Sequence, residues 1–552
     1  MEGYKKSGSP DVNFWFTEIS AGEEFRRNFT HQNMWATYRN YYRNKFRQGL
    51  FTKNIYFMMR RSMVPRTYMR NPMISVTSKK PGATHAALAK IMERTFNSLM
   101  KSMDIKGEMK KLVDTGFTTG TGVGKLGFGG LYSPTPNPEG TEVPRDKQGG
   151  KVEHRSGILD NMPWFMSIDP GSFVLPNHCT DEKSAYFQAQ WIRRYKDDVQ
   201  RDPRLKKISK FKTRTMALGP KDPIPTGSYF GQATRDEIDL LEIRDRRNQK
   251  VTVLAPHDTD EVLYFEDDEL QTEYSSPYYL YSPNMDDEVV WGVSDAGILY
   301  PFQQQLNEIK TKMHLHMRQS IVKILAEKGV IKPEEVAKMQ SENIQAVIEV
   351  ANIHKIDIMQ AATIPQELFA MEQNVMNDVR EVMGFSRNAF GDYQARSHGP
   401  TTVETNAVNQ ALELRIDERR DILSDILVRL FEDIQLIIYR HWNEEQVTKV
   451  IGKEGHALWV KFTGKMLEEG QYEISINPDT AVTETKAVRE ERAKQYYQML
   501  QTNPLLDSHK LTKYVLGELP GVAFDDLLLE QQPENQEPLT PEQLGQNLQI
   551  AG

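Results

Sequence analysis

The chain has 552 residues, 39% apolar and 26% charged, with 69 Lys plus Arg against 76 Asp plus Glu, a formal net charge of −7 and a single cysteine, Cys179. One thiol excludes an intramolecular disulfide framework and a cysteine-based zinc cluster, and implies synthesis in a reducing, cytosolic setting. The composition excludes disorder throughout, and the length accommodates about two to four core-forming units.

The N-terminus carries Asp11 where a signal peptide would place its apolar stretch. Charge is then segregated along the chain. Residues 1–24 sum to −3, and from Phe25 to Met92 there is no Asp or Glu but fourteen Lys and Arg. Residues 93–513 carry −11, and the last 39 residues hold seven acids and no cation. In the basic block, Trp35, Tyr38, Tyr42 and Phe46 are spaced by three or four, which predicts a helix burying one face while its arginines snorkel or pair with acids elsewhere. The competing reading takes the cations and rings as a single-strand nucleic-acid platform. The helix reading is favoured, because the acidic body supplies counter-charge. The block passes Met63-Val64-Pro65 and Asn71-Pro72 into MISVTSKKPG, which alternates like a strand and ends in a Pro-Gly turn.

A helix is expected from about Ala83 to Lys111, followed by DTGFTTGTGVGKLGFGG. The GTGVGK within it fails as a phosphate-binding loop. Thr119 stands where the first glycine is required, and Leu126 where a magnesium-binding hydroxyl is required. The dinucleotide fingerprint fails at Lys125 in one frame and lacks a preceding parallel strand in the other. A Gly-rich strand including Phe117, Val123, Leu126 and Phe128 accounts for these residues. Residues 133–157, rich in Pro and Gly, read as a mobile surface excursion. Strand signals follow in PWFMSIDPGSFVLP, AYFQAQWIRRY, the pair IDLLEIRD and KVTVLAP, EVLYFED and SPYYLYSP, with the basic insert RLKKISKFKTRT read as a solvated loop. His178, Cys179, Asp181 and Glu182 lack the spacing of one coordination sphere, and His257 to Glu261 read as a hairpin turn. His314 and His316 fall about 200° apart on a helix and cannot share a ligand. No nucleophile and base arrangement has supporting context, so no enzyme activity, cofactor or metal is expected. Apolar stretches such as IYFMM from Ile55 and IQLIIY from Ile434 are far below the ~20 residues of a membrane helix, and no span is expected.

Ser294 is placed to cap a long helix that Pro301 kinks or restarts, continuing from Phe302 to Lys328, roughly 40 Å. A compact insert follows, with a short helix PEEVAKMQ opened by Pro333 and two strands, NIQAVIEV and HKIDIMQ. A second helix from Pro365 meets Gly384 near its end, and the loop SRNAFGDYQARSHGP leads to Thr401 and Glu404 at capping-box spacing. A third helix, from about Thr402 to Trp442, carries Val408, Leu412, Ile416, Ile422, Ile426, Leu430, Ile434 and Ile438 as its buried stripe.

The ordered set RSMVPRTYMRNPMISV, DTGFTTGTGVGKLGFGG, VTVLAPHDTDEVLYF, VVWGVSDAGILYPFQQQLNEIKT, VMGFSRNAFG with HGPTTVETNAV, and WVKFTGKMLEEGQYEISINPDTA resembles the portal proteins of tailed bacteriophages, the head-to-tail connectors of double-stranded DNA phages. The resemblance runs across about residues 30 to 490. It departs at Thr401-Thr402-Val403-Glu404, where many relatives have Thr-Ala-Thr-Glu, which puts any role of Thr402 in question. It implies an α+β architecture. Residues 1–292 would be the N-terminal part of a wing, 293–328 a first stem helix, 329–363 a clip and 364–385 a second stem helix. Residues 386–401 would be a tunnel loop, 402–485 the long wing helix with returning strands, 486–528 a crown-like helical region and 529–552 a disordered acidic tail.

The implied function is a structural ring, usually of twelve subunits, at one capsid vertex of the virion, through which double-stranded DNA is packaged and ejected. Its implied partners are further copies of the chain, the DNA, the large terminase, the major capsid protein, head-tail adaptor proteins and a scaffolding protein, with assembly in the host cytoplasm. Tunnel-loop candidates are Arg387, Asn388, Tyr393, Gln394, Arg396 and His398; stem-channel candidates are Lys310, Lys312 and Arg318; clip-docking candidates are Lys332, Glu334, Glu335 and Lys338. The alternative is a non-portal nucleic-acid-binding protein using the block at residues 25 to 92.

Overall fold

The computed structural model describes residues 4–476 apart from 5–9, 48, 69–70, 129–161, 203, 209–236, 271–275, 320–322, 327–330, 341–355, 360–363, 386–401, 443–445, 452–456 and 469–470. The chain divides into two compact units. One comprises residues 1–37, 59–297 and 413–552, the other residues 38–58 and 298–412.

In the first unit, helix α1 (Val12–Phe29) starts where the Asp11 carboxylate accepts a hydrogen bond from Asn13 N. Helix α2 (Gln32–Tyr42) begins in this unit and α3 (Ile55–Thr67) ends in it, while residues 38–58 belong to the second unit. The helix expected over the aromatic stripe is present, with Trp35 and Tyr38 buried, but it ends at Tyr42. Asn44 turns left-handed at φ 59°, so Phe46 leaves the helix and stacks on Tyr41 instead. Pro65 lies inside α3, in its last turn. Several block arginines are consumed internally: Arg26 is buried and donates to Phe173 O, and Arg60 pairs with Asp114.

Strand β1 (Ile74–Ser78) precedes α4 (Ala83–Ser102) and α5 (Ile105–Thr119). The single helix expected to Lys111 is therefore two helices. Asp104 breaks the run at φ 48°, and its carboxylate caps α5 by accepting from Gly107 N. Phe117 lies on α5, not on a strand. Strand β2 (Gly122–Phe128) is the centre of a three-stranded antiparallel sheet, between β3 (Pro163–Ile168) and β9 (Tyr278–Tyr281), with Phe128 directly opposite Pro163. A five-stranded antiparallel sheet runs in the order β4 (Phe173–Val174), β5 (Phe187–Tyr195), β6 (Glu237–Asp245), β7 (Lys250–Leu254) and β8 (Val262–Asp267), with α6 (Lys196–Arg201) after β5. These are the strands expected from sequence. The excursion at 133–157 lies outside the described residues. The start of the basic insert is not solvated throughout, because Leu205 and Ile208 are buried against Ile238 and Leu240.

Strand β6 is buried almost end to end, which follows from having both faces covered. Leu241 and Ile243, on one face, pack with Trp15 and Ile19 of α1; Ile238 and Leu240, on the other, pack with Leu205. Glu242 and Arg244 continue that second face. There Lys125 of β2, 1% exposed, reaches Glu242 Oε2 and Gln190 Oε1 at 2.8 Å each. Arg244 Nε donates to Glu242 Oε1 at 2.9 Å and its Nη1 to Asp268 Oδ2 at 2.6 Å. The basic residue of the GTGVGK stretch is thus an internal partner of a carboxylate.

The remaining elements are α7 (Asp295–Gln319), β10 (Lys323–Ala326), α8 (Pro333–Gln340), β11 (Ile356–Met359), α9 (Gln366–Met383), α10 (Thr402–His441), β12 (Gln446–Ile451), β13 (Ala457–Phe462), α11 (Gly464–Glu468) and β14 (Tyr472–Ile476). Strand β14 returns to pair with β1, Val76 opposite Ile474. The main core gathers apolar residues of α4, α5, β1, β14 and α10. On α10 the expected Ile416, Ile426, Leu430, Ile434 and Ile438 are buried, joined by Leu423, Leu427, Phe431 and Ile437, so the apolar face is wider than one four-spaced line. Ile422 is only half-buried, and the side chains of Val408 and Leu412 lie outside the described residues. The crown-like helical region expected over residues 486–528 and the acidic tail are also outside them.

Burial pushes the Glu242 carboxyl up, but Lys125 and Arg244 together outweigh it and hold the group at about 2, against an ordinary 4.5. Burial pulls the Lys125 ammonium down to about 8, with Glu242 opposing part of that shift. Glu242→Gln leaves two buried cations without their shared carboxylate and is expected to lower the unfolding free energy by about 3–5 kcal/mol in urea denaturation. A lowered carboxyl stabilises fully above its unfolded value and loses that effect as pH falls through its folded one. The wild type should therefore lose stability between pH 4.5 and about 2 more steeply than the variant.

Candidate functional site

The elements that the sequence marks for function are α7, the insert after it, α9 and α10, and each begins from a local constraint. The Ser294 hydroxyl caps α7 as expected, accepting from Gly297 N at 3.1 Å, and also donates to Thr118 O at 2.8 Å. Gly292 N donates to Thr121 Oγ1 at 2.8 Å. This approach is close enough that a Cβ on Gly120, whose φ is +90°, would sit 2.0 Å from Gly292 O. Here the Gly-rich stretch finds its purpose. Gly124 and Gly127 likewise lie under the rings of Phe165 and Trp164, so these glycines admit neighbours rather than phosphate.

Asp295, 2% exposed, opens α7 and is clamped by Arg419 of α10, whose Nη1 and Nη2 donate to Oδ2 at 2.7 Å and Oδ1 at 2.9 Å. Asn284 completes the cluster, accepting from Arg419 Nη2 at 3.1 Å and donating to Asp295 Oδ1 at 2.9 Å. Burial opposes the Arg419 charge, yet Asp295 outweighs it and raises the guanidinium above its ordinary value. Ten residues on, Arg429 pairs with Glu182 and donates to Tyr278 O at 2.6 Å, and Asp433 accepts from the Tyr279 hydroxyl. Sequence reasoning missed all of these. The only available signal was cations and an acid on the stripe-bearing half of α10.

In the second unit, α7 and α9 carry buried residues Leu306, Ile309 and Met313, and Val375, Met376, Val379 and Met383, respectively. Lys310 Nζ meets Glu372 Oε2 at 2.5 Å, which ties the two helices together. Of the stem-channel candidates, Lys310 is therefore held by a carboxylate. Lys312 is exposed and lies 3.8 Å from Glu308 one turn earlier, and Arg318 is exposed. Helix α7 passes through Pro301 without a break and ends at Gln319, short of the expected Lys328. The run Ile321-Val322-Lys323-Ile324 explains the difference: β-branched residues favour a strand, and β10 pairs antiparallel with β11, Lys323 opposite Met359.

Helix α8 covers the expected PEEVAKMQ, and α9 ends as expected at Gly384, left-handed at φ 73°. Of the clip candidates, Lys332 and Glu334 are exposed, Glu335 is buried at 7%, and the Lys338 side chain lies outside the described residues. So do NIQAVIEV and the tunnel-loop candidates Arg387, Asn388, Tyr393, Gln394, Arg396 and His398. Cys179, beside His178, is buried and its thiol donates to Asp181 O, while His257 opens the turn between β7 and β8, where Asp258 N donates to Ala255 O. Among the described residues no cluster of His, Cys, Asp or Glu could hold a metal ion, and no helix is long and apolar enough to cross a membrane.

Gly120→Ala should lower the unfolding free energy by about 2 kcal/mol or more, since both the backbone angle and the contact with Gly292 must shift. Arg419→Met strands Asp295 and should cost about 3–5 kcal/mol, whereas adding Asp295→Asn removes the buried charge and should recover part of the loss in a double-mutant cycle.

Residues 201–549 match the family model described as phage P22-like portal protein. No curated protein matches the sequence. Among solved structures, a chain described as the virion of a native gene transfer agent particle is similar at 8% identity and a TM-score of 0.39, covering 89% of this chain and 98% of that one. No assignment rests on that likeness. The family match takes in more than half of the 552 residues, and the chain belongs to the phage P22-like portal protein family.

Proposed function

We propose that the protein is the structural, non-catalytic portal of a tailed phage, assembling into a closed ring of twelve copies around a channel for double-stranded DNA at one capsid vertex. The observation that carries this reading is the family match over residues 201–549, which includes α7, α8, α9, α10 and the segments between them. Helices α7 and α9 are the stem, residues 329–363 the clip, residues 386–401 the tunnel loop, and the sheets with α10 the wing. The −11 carried by residues 93–513 and the acidic tail suit a conduit, because each inward cation repeated around a ring would add phosphate contacts and grip the duplex.

Lys312, Arg318, Arg387 and Arg396 are the rings of positive charge that guide DNA; Lys310, neutralised by Glu372, contributes less to that field. Lys332 and Glu334 are the docking surface for the terminase, while Glu335 by its burial serves clip packing. Head-tail adaptor proteins, the major capsid protein and a scaffolding protein complete the partners, with assembly in the host cytoplasm.

Negative-stain images of the purified protein are expected to show closed rings with a central hole. A monomer that binds single-stranded DNA with a steep salt dependence would overturn the reading in favour of a separate nucleic-acid-binding protein. Arg387→Glu with Arg396→Glu should leave the rings intact and impair DNA packaging or retention in particles; unchanged packaging and retention would remove the loop from the guiding role.

A further inference from the structure

Among the described residues, the cations of the block from Phe25 to Met92 separate into those already used, such as Arg26 and Arg60, and those that reach solvent. In the second unit, the connection from α2 to α3 is bolted to α7 by its neutral groups. Phe51 N donates to Thr311 Oγ1 at 3.2 Å, and the Phe51 ring stacks on His314 with centroids 3.6 Å apart. Gln303 Nε2 donates to Thr52 Oγ1 at 2.8 Å and to Lys53 O at 3.1 Å, and Gln303 Oε1 accepts from Ile55 N at 2.9 Å. At the other end Asn54 Nδ2 donates to Tyr41 O at 2.7 Å. These contacts are made by rings, backbone and neutral side chains, which leaves the cationic side chains of the segment exposed.

Those side chains are Arg43, Lys45, Arg47 and Lys53. All four are exposed, and among the described residues none pairs with a carboxylate. The contacts to Thr311 and His314 set this loop beside the half of α7 that bears exposed Lys312 and Arg318. Two parts of the sequence about 260 positions apart thus pool their positive charge on one surface. On α7 and α9, Glu372 holds Lys310 and Glu308 faces Lys312.

The rings decide which feature of a nucleic acid such a surface would take. Phe57 is stacked on Tyr42, Phe46 on Tyr41 and Phe51 on His314, so each has a face covered by its own chain. Base stacking is poorly served, whereas the cations are free to meet phosphates. We propose that Arg43, Lys45, Arg47 and Lys53, together with Lys312 and Arg318, form a contact surface for the phosphate backbone of duplex DNA, without sequence preference and separate from the loop at 386–401. This rests on the channel reading for Lys312 and Arg318 and adds to it the cations of the 43–53 loop, which the contacts to Thr311 and His314 set beside them.

The test uses the full-length assembled protein and a labelled random-sequence duplex of about 30 base pairs, with binding followed by anisotropy from about 50 to about 200 mM salt. Relative to wild type, the variant Arg43→Gln/Lys45→Gln/Arg47→Gln/Lys53→Gln should bind about 10-fold or more weakly and lose about 2–4 from the slope of log K against log salt. The charge-preserving Arg43→Lys/Arg47→Lys should bind as wild type does, and Arg387→Gln/Arg396→Gln should leave this component of the slope in place. Negative-stain images of each variant report assembly independently, so failure of the ring reading is distinguished from failure of this one. If the quadruple variant does not assemble, Arg47→Gln and Lys53→Gln singly should each remove about 1 from the slope. An unchanged slope in assembled variants overturns the proposal, as does tighter binding of single-stranded than duplex DNA that survives the quadruple substitution.

Discussion

A lysine with almost no surface left to water has to be met by negative charge, and the first unit is arranged around how Lys125 is met. The residue lies on the middle strand of one sheet, and its carboxylate, Glu242, on the middle strand of the other. Glu242 is in turn shared with Arg244, which Asp268 satisfies from its far side. Such a network contributes little net stability compared with apolar residues of the same volume, but any displacement that separates its members leaves a charge stranded at a cost of several kcal/mol. It therefore holds the sheets in one relative register. The glycines of β2 serve the same end, because a strand that must be overlaid by Trp164 and Phe165 while delivering a lysine inward has no room for further side chains.

Helix α10 repeats the principle along its length. Its apolar face supplies most of the stabilisation: each fully buried Leu, Ile or Phe contributes about 1.5–3 kcal/mol, and α10 buries at least nine such residues. Apolar contact alone does not determine how far a helix slides along its axis. Arg419 with Asp295, and Arg429 with Glu182, do so at two points ten residues apart, each through a guanidinium with several directed hydrogen bonds. The first of these points is also where α7 begins, so the start of that helix inherits its position from the long helix and from the Ser294 cap.

Much of this could be read in advance, and the exceptions have physical causes. The antiparallel strands from Pro163 to Tyr281, the short helix opened by Pro333, the stop at Gly384 and the span of α10 were legible, because alternation, proline, glycine and capping residues act locally. The break between α4 and α5 was not, since apolar periodicity continues across Met103 and Asp104 and only the left-handed backbone of Asp104 interrupts it. The end of α7 was obscured by an apolar run that suits a helix by spacing but a strand by β-branching. The carboxylate partners of Lys125, Arg419 and Arg429 were hidden because each lies more than a hundred residues away. The basic block was legible as charge alone. Which of its arginines face inward, as Arg26 does, and which stay on the surface depends on tertiary contacts with α7 and with β4.

The pairing of Phe128 with Pro163 has a practical side. Thirty-four residues intervene in the chain, yet the two positions they join are already neighbours across a ladder. Geometrically, a turn of a few residues would serve. By loop-closure entropy alone, shortening the connection to about four residues would favour the folded state by about 2 kcal/mol. The same site offers a place to graft a fluorophore-binding tag or a foreign domain, since neither end of the insertion would have to move to receive it.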